Sequence, residues 1–434
     1  MSLQIINSRN WVRVALINLL IVAIYGWVMR YKIGYSLPIF HQKFLLHAHS
    51  HFAFSGWVSQ LLMTLMISQL PHTLSASRKK LYESILYGNL ITSYGMLISF
   101  TVQGYALYSI IFSTLSLVVS FLFAGMYIYD SLKLGQTTSK PWLITAIIFQ
   151  VLSTAGTFSL IYMLAGKKFQ SDIYHASIYW YLHFQYNGWF LFAIIGLFVH
   201  ELSKRWEAPP LPRHIFWLFA ISCFPAYGLS VLWLKLPLPV YLLVIAATLA
   251  QTIGWLLLVI HLIKQKIWQF MPNKLSVFML LVIGIANSIK MSLQLASVIP
   301  SISHMAFGYR PIVIAYLHLI LLGIITTYLI MHLYVTHQLN HKPVVTVSII
   351  GLLISIAANE LVLAIQGISS FSYTLVPWVN DALIGASTLL LLSIGLLGIS
   401  QFQIRLKKKE NSISEYTPTV QEPLIAEFEN RKQI

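Results

Sequence analysis

Histidine is the residue type on which this chain could build chemistry. Fifteen histidines stand against a single cysteine, Cys223. One thiol leaves no intrachain disulfide, no CxxCH site for covalent haem, no four-cysteine cluster and no two-cysteine copper centre. Any bound metal must therefore be held by His, Met, Tyr or carboxylate side chains. Three histidines, His47, His49 and His51, crowd the stretch KFLLHAHSHFAFSGWVSQLLMTLM over residues 43–66. In a helix His47 and His51 share a face, and His49 points about 160° away from His47. An i, i+4 histidine pair can hold a transition metal, and a neutral imidazole can ligate haem iron. The stretch offers one haem ligand or a two-histidine metal site; the bland alternative is a wet helix end with solvated imidazoles.

His318 is set differently, in VIAYLHLILLGIITTYLI, where Tyr316 is the only other polar side chain for several residues before it. Desolvating an imidazole without a strong partner is costly, which favours a ligand. A six-coordinate haem takes imidazoles from two helices on opposite faces of the ring. His47 and His318 could do this.

The elements that carry these residues are membrane helices. Of the 434 residues, 57% are hydrophobic and 9% charged, against about 25% charged in soluble domains. The fold class expected is all-α, a polytopic membrane protein. Apolar runs of spanning length, about 20 residues, fall near 11–29, 44–70, 82–103, 105–130, 142–166, 176–201, 214–234, 238–263, 275–300, 311–336, 343–366 and 378–403. These predict twelve transmembrane helices over residues 1–404, followed by a polar, disordered cytoplasmic tail over 405–434. The first run reads as a retained helix, not a cleaved signal.

The net charge of +16 reports orientation and contact with anionic membrane lipid rather than nucleic acid, since no aromatic-interleaved basic patch is present. Arg9, Arg13, Arg78, Lys79, Lys80, Lys133, Lys140, Lys204, Arg213, Lys264 and Lys342 fall on one side. Fewer, among them Arg30, Lys43, Lys235 and Arg310, fall on the other. The positive-inside rule then puts both termini in the cytoplasm of a cell whose inner membrane holds the protein. It also places His47, His183 and His318, on the second, sixth and tenth helices, at similar depth in the outer half.

Twelve helices with histidines in the second, sixth and tenth resemble subunit I of the haem-copper oxidase superfamily, with the cbb-type oxidase and nitric oxide reductase branch as the nearest likeness. The resemblance covers most of residues 40–335. The family's tenth helix carries an HxH motif followed by a glycine. YLHLILLG, Tyr316 to Gly323, matches it with His318 at the low-spin haem position and Tyr316 where the high-spin haem ligand stands. LLHAHSHFAFSGW resembles the second helix that supplies the opposite ligand, with His47 as the expected match and His51 or His49 as register alternatives. His183, in YWYLHFQYNGW, matches a copper ligand of the sixth and is a weaker metal candidate. The seventh-helix His-His pair is replaced around Pro225-Ala226-Tyr227, Lys290 stands near an expected glutamate, and the arginine pair for haem propionates is missing before the twelfth helix. Arg310 and Lys43 are the substitutes on that side.

The resemblance thus implies one low-spin haem b between two histidines, with copper not expected. It further implies a role in electron transfer, sensing or as an accessory subunit, served by a cytochrome or quinol donor or another respiratory subunit. Two other readings stand beside it. One is a working terminal oxidase or nitric oxide reductase with unusual ligands. The other is a haem-free metal-handling membrane protein similar to the NnrS family, which also has an HAH-containing early helix. No catalytic triad or phosphate-binding glycine loop is present; GKKF at 166–169 lacks the required spacing.

Overall fold

The computed structural model describes residues 6–71, 73–166, 169–205, 210–303, 309–372 and 374–414. Among them no strand occurs, and the chain is a succession of long helices. These are α1 (Ser8–Gly34), α2 (42–68), α3 (Ala76–Gln103), α4 (Leu107–Leu132), α5 (Lys140–Ala165) and α6 (Ser171–Lys204). They continue with α7 (213–231), α8 (Leu238–Lys264), α9 (Lys274–Ala296), α10 (Arg310–Val335), α11 (Pro343–Phe371) and α12 (Val379–Ser414). Helix is the expected solution where water is excluded, because each backbone group then pairs within its own segment.

The starts follow local chemistry. Ser75 accepts from the Arg78 amide at 3.3 Å to open α3, and Asn273 and Ser276 form a reciprocal cap on α9. Prolines stand in the first turns of α5, α8, α10 and α11, where a missing N–H costs nothing. Gly104, with φ 63°, closes α3 in a backbone region that favours glycine.

Ten of these helices are long and apolar enough to cross a membrane, and α7, bent by 45° between Arg213–Cys223 and Pro225–Val231, makes eleven if counted as one span. The protein is a multi-pass helical membrane protein. The remaining helix, α2, has the length, but its three histidines, Gln60 and several serines make it more polar than the others. The last helix runs on to Ser414, past the expected end of the bundle at 404; residues 415–434 of the expected tail lie outside the described residues.

Burial confirms which faces turn outward. Ile91, Ile98 and Val102 on α3, and Leu115, Val118 and Leu122 on α4, are exposed apolar side chains, as a hydrocarbon solvent allows. The interior is aromatic and polar together: Trp57, Trp189, Phe52, Phe100, Phe184 and Phe190 pack around buried Asn18, Gln60, Thr64, Asn89 and Gln185. Small residues permit close helix approach. At Gly156 a Cβ would run into the backbone carbonyl of Ser177, locking α5 against α6. At one end of the bundle Arg78 pairs with Asp130 at 3.0 Å, and Tyr82 donates to the same carboxylate at 2.8 Å, tying α3 to α4.

Three helices change pitch internally. α2 is π-helical over Ala53–Ser59, α6 over Phe184–Phe190 and α10 over Leu319–Thr326. Each widened turn follows directly on a histidine-bearing turn. A π turn releases carbonyls from the regular ladder, and in α2 asparagines collect them: Asn18 Nδ2 donates to Gly56 O at 2.6 Å and Asn89 Nδ2 to Ser55 O at 3.1 Å. Indoles then stitch the three segments together. Trp57 Nε1 donates to Thr326 Oγ1 at 3.1 Å, and Trp189 Nε1 donates to Ser59 Oγ at 3.2 Å.

Candidate functional site: two imidazoles in one cavity

α1, α2, α10, α11 and α12 enclose a cavity of about 100 Å³ whose wall includes His49 and His318. The rest of the wall is mainly apolar and partly small, with Ala23, Gly26, Ala53 and Ala386 among the lining residues and Trp57 and Thr326 beside the histidines. Gly26 faces the ring of His49; a Cβ there would stand 3.3 Å from His49 Cε1.

Both imidazoles are held in the same way. His49 Nδ1 lies 3.1 Å from the Val22 carbonyl on α1, and His318 Nδ1 lies 2.8 Å from the Ile314 carbonyl one turn earlier on α10. A carbonyl only accepts, so each Nδ1 carries the proton and donates it. Each neutral ring thus keeps its lone pair on Nε2, and neither Nε2 has a hydrogen-bond partner among the described residues. This is the arrangement in which proteins present histidine to a metal, one nitrogen oriented by a carbonyl and the other free to bind.

The other two histidines of the HAHSH stretch turn elsewhere. His51 Nε2 meets the Tyr105 hydroxyl at 3.0 Å, and its ring stacks on Phe100 with centroids 4.5 Å apart. The His47 ring packs edge-on against Tyr105 at 4.6 Å, with Nε2 buried and unpartnered. The cause is helix periodicity. His47 and His51 share the face turned to the end of α3, so the residue between them is the one that reaches the cavity with His318. The sequence offered His47 opposite His318, with His51 or His49 as alternatives, and of these three His49 is the one that lines the cavity with His318.

Charge collects at the same site. Arg30, four residues after Gly26 on α1, lines the cavity, and its guanidinium makes no hydrogen bond or ion pair among the described residues. Arg310 and Glu360 are the charged groups that bear on it. Arg310 is exposed at the start of α10 and does not line the cavity itself. Glu360 accepts from Asn359 Nδ2 at 3.1 Å, and Asn359 is part of the wall.

His183 is placed apart, 1% exposed. Its Nε2 lies 2.8 Å from the Cys223 carbonyl, to which it donates, and its Nδ1 accepts from Asn187 Nδ2 at 3.2 Å. Both nitrogens are committed, and no lone pair is left for a metal. Beside it lie the buried Cys223 and Lys290 and the Tyr227 ring, with centroids 6.0 Å apart; Tyr316 pairs edge-on with Tyr186, with centroids 6.2 Å apart. No group of three or more His, Cys, Asp or Glu side chains among the described residues is arranged to hold a metal ion. His304 lies outside the described residues.

Arg30, Gly26, Asn359, Trp57 and Thr326 were not marked out by the sequence. A signal for Arg30 existed, a charge at the end of an apolar run on the same side as Arg310. The Trp57–Thr326 pairing joins positions far apart in the chain and has no local signature. Compared with known proteins, the chain matches no protein-family model and no curated protein.

Proposed function

We propose that the protein binds one b-type haem in the cavity between α1, α2, α10, α11 and α12, with His49 and His318 as axial ligands, and works in electron transfer. One observation carries this reading: two neutral imidazoles, each fixed through Nδ1 by a backbone carbonyl, line one cavity with Nε2 free. The donor set suits the group, since paired imidazoles are low-spin haem ligands. The cavity as it stands, about 100 Å³, is smaller than a porphyrin, so binding requires the helices around Gly26, Ala53 and Ala386 to separate. Arg30, which lines the cavity, with Arg310 beyond it, would face the carboxylates such a ring bears.

A bound haem would supply one-electron chemistry. The chain's residues do the rest. Val22 and Ile314 hold the ring protons in place, the apolar wall excludes water, and Trp57 with Thr326 fixes the separation of α2 and α10. His49 and His318 would both hold the group, and a haem held by two protein ligands would serve electron transfer rather than gas binding.

The reading includes α2 and the bent α7 as membrane spans, twelve in all. It places the chain in the inner cell membrane with cytoplasmic termini, resembling subunit I of the haem-copper oxidases, and implies a cytochrome, quinol or respiratory subunit as electron partner. The saturated nitrogens of His183 disfavour a copper-dependent oxidase or reductase. The test is an optical spectrum of the purified protein, oxidised and dithionite-reduced, with a pyridine haemochrome assay. One haem per chain with sharp reduced α and β bands supports the proposal. No haem after expression in a haem-replete host refutes it.

A further inference from the structure

The loop between α10 and α11 presents a second pair of imidazoles, His337 and His341, outside the membrane-spanning segments and distant in sequence from the cavity histidines. Their ring centroids are 4.7 Å apart, and both residues are exposed. Exposed histidines normally diverge into water. Here the loop holds them in contact.

Four features fix the loop. Leu339 is buried at 2% exposure. The amides of Gln338 and Leu339 both bond back to the Leu333 carbonyl, at 2.9 and 3.2 Å. Asn340 is pinned to α12 through Ser400 O at 3.0 Å and Gln401 Oε1 at 3.3 Å. His337 itself has φ 57°, in the left-handed region, where a non-glycine residue is uncommon and is a sign of constraint worth explaining. On the other side His341 packs on Tyr334 with centroids 4.3 Å apart, and the Tyr334 hydroxyl is occupied by Asn273 Nδ2 at 3.1 Å. Tyr334 therefore backs the pair rather than competing for its ligand.

We propose that His337 and His341 form a binding site for a borderline divalent transition-metal ion, of the class Zn²⁺, Ni²⁺ or Cu²⁺. Imidazole suits these ions. With no carboxylate or thiol completing the set among the described residues, water fills the remaining positions, and the site is an exchangeable one rather than a closed structural centre. Binding releases no thiol or carboxylate proton and requires only that both rings be neutral.

The test uses the full-length, untagged protein in detergent, stripped with a chelator and titrated with Zn²⁺ by equilibrium dialysis and metal analysis. Cu²⁺ with electron paramagnetic resonance counts the bound nitrogens. The expected result is one equivalent of Zn²⁺ and a two-nitrogen Cu²⁺ signal. Affinity falls about tenfold or more in His341→Gln. His337→Gly is the decisive variant, because glycine accepts the left-handed backbone and deletes only the ligand. It should stay folded and lose the equivalent. The haem spectrum should be unchanged in both variants, so this proposal and the haem proposal fail separately. Retention of the equivalent in His337→Gly overturns the inference. So does loss of that equivalent in a His47→Ala/His51→Ala double variant, or absence of binding by the unsubstituted protein.

Discussion

Replacing the cavity histidine and its neighbour one by one separates the two possible faces of α2. In His49→Ala the imidazole held by Val22 disappears, and with it one of the two proposed haem ligands. Changing only an outer partner of a ligand costs about 10–100-fold in metal affinity. Losing the ligand itself should reach at least the upper figure, about 2.7 kcal/mol. The residual haem should become five-coordinate, with broadened reduced α and β bands. The vacated space faces Gly26, so added free imidazole should enter it and restore the sharp spectrum. In His47→Ala the deleted ring only packs against Tyr105 and Phe100, and its buried Nε2 had no partner to lose. The cost is a stability change of roughly 1 kcal/mol, with haem content intact. The assay is haem per chain and reduced-minus-oxidised difference spectra for both variants, with and without imidazole. If His47→Ala loses the haem while His49→Ala keeps it, the geometric reasoning fails.

Four further outcomes follow from the same geometry. Gly26→Val should push a side chain against His49 Cε1 and lower haem occupancy while the circular dichroism of the bundle stays unchanged. Thr326→Val should leave the buried Trp57 indole N–H without an acceptor, costing roughly 1–3 kcal/mol, and shift the low-spin paramagnetic resonance signal as α2 and α10 change separation; an unaltered signal would mean that the hydrogen bond does not position the ligands. Gly156→Ala should destabilise the bundle by roughly 1–3 kcal/mol in a detergent unfolding series, because the Ser177 carbonyl it meets is backbone and cannot swing aside. Arg30→Gln should lower the haem midpoint potential, since removing a nearby positive charge disfavours the reduced, less positive iron, while Arg9→Gln at the far end of α1 should not.

The helices were legible because spanning length and apolar content are properties of a contiguous window. The runs expected at 82–103, 238–263 and 343–366 correspond to α3, α8 and α11 to within a few residues at most ends. Only α3 begins much earlier, because Ser75 caps a charged first turn that lies outside any apolar window. His318 was legible as well, as a lone imidazole in a hydrophobic stretch. The choice among His47, His49 and His51 was not. Periodicity separates the faces of α2 but does not say which face meets α10. That depends on Asn18 and Asn89, which draw the π turn of α2 toward α1 and α3 through bonds spanning dozens of residues. The π segments have no composition of their own, and so the widened turns beneath His318 and His183 were equally hidden.

The three histidine-bearing helices look alike in sequence and differ in what occupies the second nitrogen. In His49 and His318 a carbonyl takes the Nδ1 proton and leaves Nε2 bare in a cavity. In His183 a carbonyl takes Nε2 and an asparagine takes Nδ1, so the ring is a buried strut joining α6 to α7 through Cys223. In His51 the Tyr105 hydroxyl engages Nε2. His183 satisfies both of its nitrogens, whereas His47 leaves a buried Nε2 unpartnered against Tyr105 and Phe100, so a free nitrogen alone does not mark a ligand. What sets His49 and His318 apart is that they line the same cavity. Two such Nε2 atoms on neighbouring helices share one cavity with Arg30, and the proposed haem would engage both nitrogens and bring its carboxylates toward that arginine. That convergence of free imidazole lone pairs and a cationic side chain, more than the number of histidines, is the reason the proposal falls between α1, α2 and α10.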